Sequence, residues 1–385
     1  MRALQVAILG AGGTIGPAIV RDLAESDEAA DLLLLDLDES RAREVARVHG
    51  AATGHAEKIR AAGLDARGGG LEGALEGRDV LVNAAGYRVN VEVMHACLSA
   101  GCHYMDLGGL YRVTGHQLEL DGAFREAGLL ALLGIGSSPG KTNVMALQAV
   151  RELEATPERI DVIAAGRDLS PPDGPSYPYS PRTLVDEVTL PPVAVRDGQA
   201  VELEPLGDGG IVELPEPFGR CETIYTLHSE MRTFAQSFGC RQASFRLSLA
   251  PAVLERVRGL AAAPDEEIEA AARDAVPASP HTVSAHVIEV GAGGRVVTIT
   301  AITRPMEEWA LGGGVVSTAA PAAASVRLLA RGRIDARGAL PPERCIEPGD
   351  LFPELERRNC SFDIHVAATP RSGTTGDEGR VGAIR

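Results

Sequence analysis

The chain has 385 residues, 45% of them hydrophobic and 23% charged, with a formal net charge of −16. That length predicts two domains with sizeable cores, and the acidic balance argues against nucleic-acid binding as a main role, since phosphate-binding surfaces need clustered basic residues. No run of eighteen apolar residues and no signal-peptide layout is read, so a cytoplasmic protein without a membrane span is expected.

In chain order, residues 4–9 form an apolar run that predicts a strand. Gly10, Gly12, Gly13 and Gly16 follow, then a helical segment at 18–23 and a second apolar run at 32–35 that ends on Asp36. Strand, glycine loop, helix, strand and acid together make a dinucleotide-binding βαβ unit. The glycines allow a sharp turn and bring backbone N–H groups to a pyrophosphate at the helix N-terminus. The acid accepts hydrogen bonds from the adenosine ribose. Asp36 favours NAD, because a carboxylate repels a 2′-phosphate. Arg41 or Arg43 could offset that, so NADP stays possible.

The alternation continues with a helix over 41–48, a weak strand over 59–64 ending at Asp65, a helix over 71–75 and a strand over 80–82 that runs into Asn83, Ala84, Ala85 and Gly86. A helix over 91–100 is stopped by Gly101. A strand over 103–105 ends at Asp106, a helix spans 115–127, and a sixth strand spans 129–133. Strands alternating with helices predict a parallel, doubly wound sheet, whose ligands sit at the strands' carboxyl ends. Beyond residue 155 the pattern changes. A strand over 160–165, a proline-rich loop over 170–181, a hairpin over 193–203 turning at Asp197-Gly198, strands at 223–227 and 244–249, a helix over 251–262 and a hairpin over 283–302 predict an α+β domain with antiparallel pairing. An alanine-rich helix over 316–329 is expected to return to the first domain. The polar end of the chain is expected to be a flexible tail.

Several motifs are excluded or left open. Residues 134–142 read GIGSSPGKT, but Ile135 stands where a P-loop requires glycine, so nucleotide-triphosphate chemistry is excluded. The Tyr four residues before a Lys that short-chain dehydrogenases use is absent, since Gly54 precedes Lys58 and Ser137 precedes Lys141 at that spacing. Those are the only two lysines in an arginine-rich chain. The six cysteines form no CxxC pair and no zinc spacing with histidine, so reduced thiols and no metal are expected. Asp106 is either a turn cap or a carboxylate facing the nicotinamide end of the site. His228, in the polar triplet with Ser229 and Glu230, is a candidate acid or base. Arg182, Arg220 and Arg232 are candidate clamps for a substrate carboxylate.

The stretch VLVNAAGYRVNVEVMHACLSAGCHYMDLGG, followed by GIGSSPGKTNVMALQAV, resembles the saccharopine dehydrogenase family, and within it the lysine 6-dehydrogenase-like branch. The resemblance implies a Rossmann domain over 1–140, an α+β substrate and dimerisation domain over 141–310 and a segment over 311–365 returning to the first domain; the polar composition beyond marks the tail as 366–385. The resemblance also implies an NAD(P)-dependent oxidoreductase acting on a C–N bond, and a homodimer. It places cofactor contacts on Gly10, Gly12, Gly13, Thr14, Ile15, Asp36, Asp65, Asn83, Ala84, Ala85 and Gly86. It places substrate loops at 106–109 and 137–143. Two departures from that branch, Gly134 in place of an acid and Lys141 in place of an apolar residue, suggest a substrate with an additional anionic group. The leading expectation is an amino-acid dehydrogenase or imine reductase, with Asp106, Lys141 and His228 as the chemical residues. Alternatives are a saccharopine reductase that joins or splits two amino acids, and a non-catalytic dinucleotide-binding protein.

Overall fold

In a parallel sheet covered by helices, strands are buried on both faces and read as continuous apolar runs. The runs of the first third assemble in this way. The computed structural model describes residues 2–368. Its first sheet is parallel, in the order Gly338–Leu340, Leu130–Leu132, His103–Asp106, Val80–Asn83, Leu4–Leu9, Ala29–Asp36, Ile59–Gly63. The order reverses between Leu4–Leu9 and Val80–Asn83, so a crevice opens there at the carboxyl ends. Gly101 ends Asn90–Ala100 in the left-handed region at φ 71°, as read, whereas the helix expected over 41–48 is longer, Glu39–Thr53, and starts at Asp38, which accepts the Ser40 and Arg41 N–H groups.

The second sheet runs Asp208–Leu214, Gly219–Tyr225, Gln242–Ser248, Arg159–Asp168, Thr282–Ala292, Arg295–Thr303, Cys360–Ala368, and the hairpin Val193–Arg196/Gln199–Glu202 joins it at Gln242–Ser248. Asp197 and Gly198 both have positive φ, as a two-residue hairpin turn of this kind requires. The sheet is mixed and not purely antiparallel: Gln242–Ser248 pairs parallel to Arg159–Asp168.

Other boundaries also differ from expectation. The single helix over 115–127 is two, Leu110–Leu118 and Asp121–Glu126. The helix Pro181–Thr189, with Ser180 as its cap, follows directly on the proline-rich stretch. The segment after residue 311 divides between the sheets. The helix Gly313–Ala330 packs on Gly16–Ala24, and Gly338–Leu340 extends the first sheet. The strand Cys360–Ala368 instead pairs with Arg295–Thr303 in the second sheet. Residues 366–368 therefore belong to that strand, and the rest of the expected tail lies outside the described residues.

The helix Gly313–Ala330 is long and apolar enough to cross a membrane by composition alone, but 72% of it is buried inside the protein, as a core helix is. One apolar core runs from Val6 and Ile8 through Val144 and Ala323 to Ile288 and Ile299, so the two sheets share their packing.

Candidate functional site

The glycine loop is shaped by close approach. Gly10 sits at φ 75°, and a Cβ on it would lie 2.6 Å from the Ala85 nitrogen. A Cβ on Gly12 would lie 2.6 Å from Cβ of Arg41. Gly12 donates its N–H to Asp36 Oδ2 at 2.8 Å, so the acid that ends the second strand also holds the loop. Gly13 and Thr14 are exposed, and no side chain caps the helix Gly16–Ala24 that follows Ile15. Pro17 has no N–H and those of Ala18 and Ile19 bond to the Ile15 carbonyl, so it is the helix's positive end that suits a pyrophosphate. Across the crevice, buried Asn83 accepts the Ala85 N–H at 3.1 Å and fixes Ala84, Ala85 and Gly86 in place. The residues present fit a dinucleotide. Asp65 is exposed beyond the edge strand, where it accepts the Arg67 N–H.

The three candidate chemical residues have different fates. Asp106 is 1% exposed and fully occupied. Its Oδ1 accepts the N–H groups of Gly108 (2.8 Å) and Gly134 (2.7 Å); its Oδ2 accepts Tyr104 Oη (2.9 Å), Gln117 Nε2 (2.5 Å) and Asn90 Nδ2 (3.2 Å). Burial pushes its carboxyl up, and these donors pull against that. Asp106 is thus a buckle between the fifth and sixth strands of the first sheet, with no lone pair left to orient a substrate.

Lys141 begins the helix Lys141–Leu153 and is also enclosed. Its Nζ donates to Ser317 Oγ at 2.7 Å and Thr303 Oγ1 at 3.1 Å, with Cys360 Sγ at 3.9 Å. Burial pulls its ammonium down, and among the described residues no carboxylate is bonded to it. The expectation that it offers a positive charge to an anionic substrate does not match this placement. The second departure has a backbone reason: Gly134 sits at φ 74°, and a Cβ there would lie 2.6 Å from Pro139.

His228 keeps unspent capacity. It stacks on Phe245 with ring centres 3.5 Å apart. Its Nε2 lies 3.7 Å from Glu187 Oε2 and its Nδ1 3.5 Å from Glu230 Oε2, in ion-pair range, and among the described residues neither nitrogen makes a hydrogen bond. Burial alone would drive the imidazole down, but the two carboxylates hold it above its ordinary value. Burial raises Glu187. Glu230, which burial would also raise, is held below its ordinary value by His228. Glu230 Oε1 accepts Thr142 Oγ1 at 2.8 Å and Ser138 Oγ at 2.9 Å, which anchors the row to the loop after the sixth strand. Tyr179 Oη donates to Glu187 at the other end. His286, on a neighbouring strand, is held well below its ordinary value by burial and by the charges of Lys141 and His228.

Glu187, Tyr179 and His286 were not singled out from the sequence. The Ser180-Pro181 start signal could have found the helix that carries Glu187. Of the arginine candidates, Arg182 pairs with Asp186 and Asp265, Arg232 lies over the Tyr111 ring, and Arg220 is exposed on its strand. They do not converge. Among the described residues, no group of three or more His, Cys, Asp or Glu side chains is placed to hold a metal ion.

Comparison with known proteins agrees with this architecture. Residues 6–132 match the family model described as the saccharopine dehydrogenase NADP binding domain. A carboxyaminopropylagmatine dehydrogenase from Synechocystis sp. is 25% identical over 270 residues, which is 67% of this chain and 65% of that protein. The match thus spans just under two thirds of that relative's length. The L-Glu-forming saccharopine dehydrogenase of Saccharomyces cerevisiae superposes with a TM-score of 0.70 at 13% identity, over 95% of this chain and all of that one. Residues 6–132 thus match the dinucleotide-binding domain model of the saccharopine dehydrogenase family, on a chain with the overall fold of that yeast enzyme.

Proposed function

We propose that the chain is an NAD(P)-dependent oxidoreductase acting on the C–N bond of a small amine or imine, as an amino-acid dehydrogenase or imine reductase. The observation that carries this reading is the buried Glu187–His228–Glu230 row, in which both His228 nitrogens and Glu230 Oε2 are unspent and which is tied to the loop after the sixth strand through Ser138 and Thr142. The dinucleotide, when bound, supplies the hydride donor or acceptor. The chain's own part is to hold the reacting carbon and to move a proton at a His228 ring nitrogen, with Glu230 balancing the charge. The matched relatives are named as dehydrogenases of carboxyaminopropylagmatine and of saccharopine, which supports a nitrogen-bearing substrate. Stopped-flow absorbance at 340 nm, with NADH and NADPH and a panel of amino acids, keto acids, saccharopine and agmatine derivatives, tests it. Hydride transfer with one class is the expected result. Tight dinucleotide binding with no turnover on any amine or imine would overturn the reading in favour of a binding protein.

The same reading takes NAD over NADP, on the strength of the Asp36 carboxylate. Asp36→Ala is expected to lower the preference for NADH over NADPH about tenfold, the worth of a charge-assisted hydrogen bond. Both cofactors should also weaken in absolute terms, because the Gly12 N–H loses its acceptor. The ratio of the two dissociation constants is the quantity to measure, and an unchanged ratio would refute the assignment. The reading includes a homodimer paired through the second sheet. The outer strand Cys360–Ala368 leaves Ile364 and Val366 exposed there, and light scattering in solution tests this.

A further inference from the structure

Asp186 lies on the helix Pro181–Thr189, one residue before Glu187, and its side chain is 6% exposed. A buried carboxylate is costly unless it is paired. Its partners come mainly from the other domain. Tyr87 Oη donates to Asp186 Oδ2 at 2.7 Å and Arg88 Nη2 donates to the same oxygen at 2.9 Å. Arg182, from the same helix as Asp186, adds a contact at 3.2 Å and also pairs with exposed Asp265.

Tyr87 and Arg88 are the first two residues of the turn Tyr87–Val89, immediately after Gly86. The side of the crevice formed by Ala84, Ala85 and Gly86 therefore continues directly into Asp186. From there the chain continues to Glu187, whose side chain faces His228 and whose carbonyl accepts the Leu227 N–H at 2.9 Å. Both the backbone and the side chain of Glu187 thus hold the segment that bears His228.

We propose that Asp186 is a positioning residue that couples the dinucleotide loop of the first domain to the His228 row of the second. This rests on the reading of the crevice as a dinucleotide site. Held by Tyr87 and Arg88, Asp186 sets the helix Pro181–Thr189 at one distance from the loop, and Glu187 carries that setting to the imidazole. Coupling of this kind is reciprocal, so loss of the Asp186 contacts loosens dinucleotide binding, and dinucleotide binding changes the surroundings of His228. The groups facing that imidazole are Glu187 from one helix, Glu230 from another and His286 from the sheet.

The experiment titrates NADH and NADPH into the full chain by fluorescence. It also follows the His228 ring resonances, assigned by their loss in His228→Asn, with and without NADH. The wild type should bind and shift its His228 signals. Asp186→Asn should bind about tenfold more weakly, as for loss of a charge-assisted contact, and its His228 signals should no longer respond. Tyr87→Phe removes one hydroxyl and should weaken binding in the same direction, which keeps the test decisive if Asp186→Asn does not fold. Unchanged affinity and an unchanged His228 response in a folded variant overturn the coupling alone. A wild type that binds neither dinucleotide overturns the site assignment and the coupling with it.

Discussion

Replacing His228 by asparagine is expected to lower the rate of hydride transfer by about 10²- to 10⁴-fold, the usual worth of a general acid or base. Dinucleotide affinity should change far less than the rate, since His228 reaches the cofactor loop only through Glu187 and Asp186. The pH profile supplies a sharper check. Glu187 and Glu230 hold the imidazole above its ordinary value against its burial. In the oxidative direction the neutral ring is the base, so the rate should rise as pH passes through that raised value. In the reductive direction the protonated ring is the acid, and the rate should fall over the same range. Glu230→Gln retains a group for Ser138 and Thr142 to bond but removes the charge, so burial gains weight and this limb should move to lower pH. A His228→Asn enzyme with wild-type turnover, or a limb unmoved in Glu230→Gln, would show that the proton is handled elsewhere.

The fold was more legible in the sequence than the chemistry, for physical reasons. Leu4–Leu9 and Ala29–Asp36 are read easily because a strand covered on both faces must be apolar along its length. Gly101 and the Asp197-Gly198 turn are read because only a few residues tolerate positive φ. The site is harder. An ionisable residue in a sequence shows its charge but not its partners. Asp106 looked like a site carboxylate, yet it serves five donors of the fold. Lys141 looked like a substrate cation, yet two hydroxyls enclose it. His228 stood out by its neighbours in sequence, while what tunes it, Glu187, comes from a helix beyond the proline-rich stretch. The mixed second sheet was obscured for a related reason. The parallel pairing of Gln242–Ser248 with Arg159–Asp168 joins segments distant in sequence, and no local pattern encodes it.

Arg327→Met is expected to give the largest loss of stability, because it opens a charge network inside the packing of the returning C-terminal segment. Arg327 is 3% exposed in the helix Gly313–Ala330. Its Nη1 donates to Asp22 Oδ1 at 2.9 Å and its Nε to Glu354 Oε2 at 2.8 Å. It thus joins the first helix of the Rossmann domain to Pro348–Glu356. Removing one member of a buried ion pair typically costs about 3–5 kcal/mol, because the partner's charge is left desolvated. Here Asp22 keeps Arg358 at 2.6 Å and Glu354 keeps Arg331 at 2.8 Å, so the lower end of that range is expected. Urea unfolding monitored by circular dichroism should show a clearly lowered midpoint, and a midpoint equal to the wild type's would refute the account. The network also predicts acid lability. Burial would raise the Glu354 carboxyl, but Arg327 and Arg331 outweigh it and hold Glu354 below the carboxylate value of 4.5. A group depressed in the folded state contributes stability above its unfolded value, and that contribution is lost as pH falls through the folded one. The wild type should therefore lose stability below about pH 4.5. Arg327→Met, having already lost much of the contribution, should show a shallower decline over the same range.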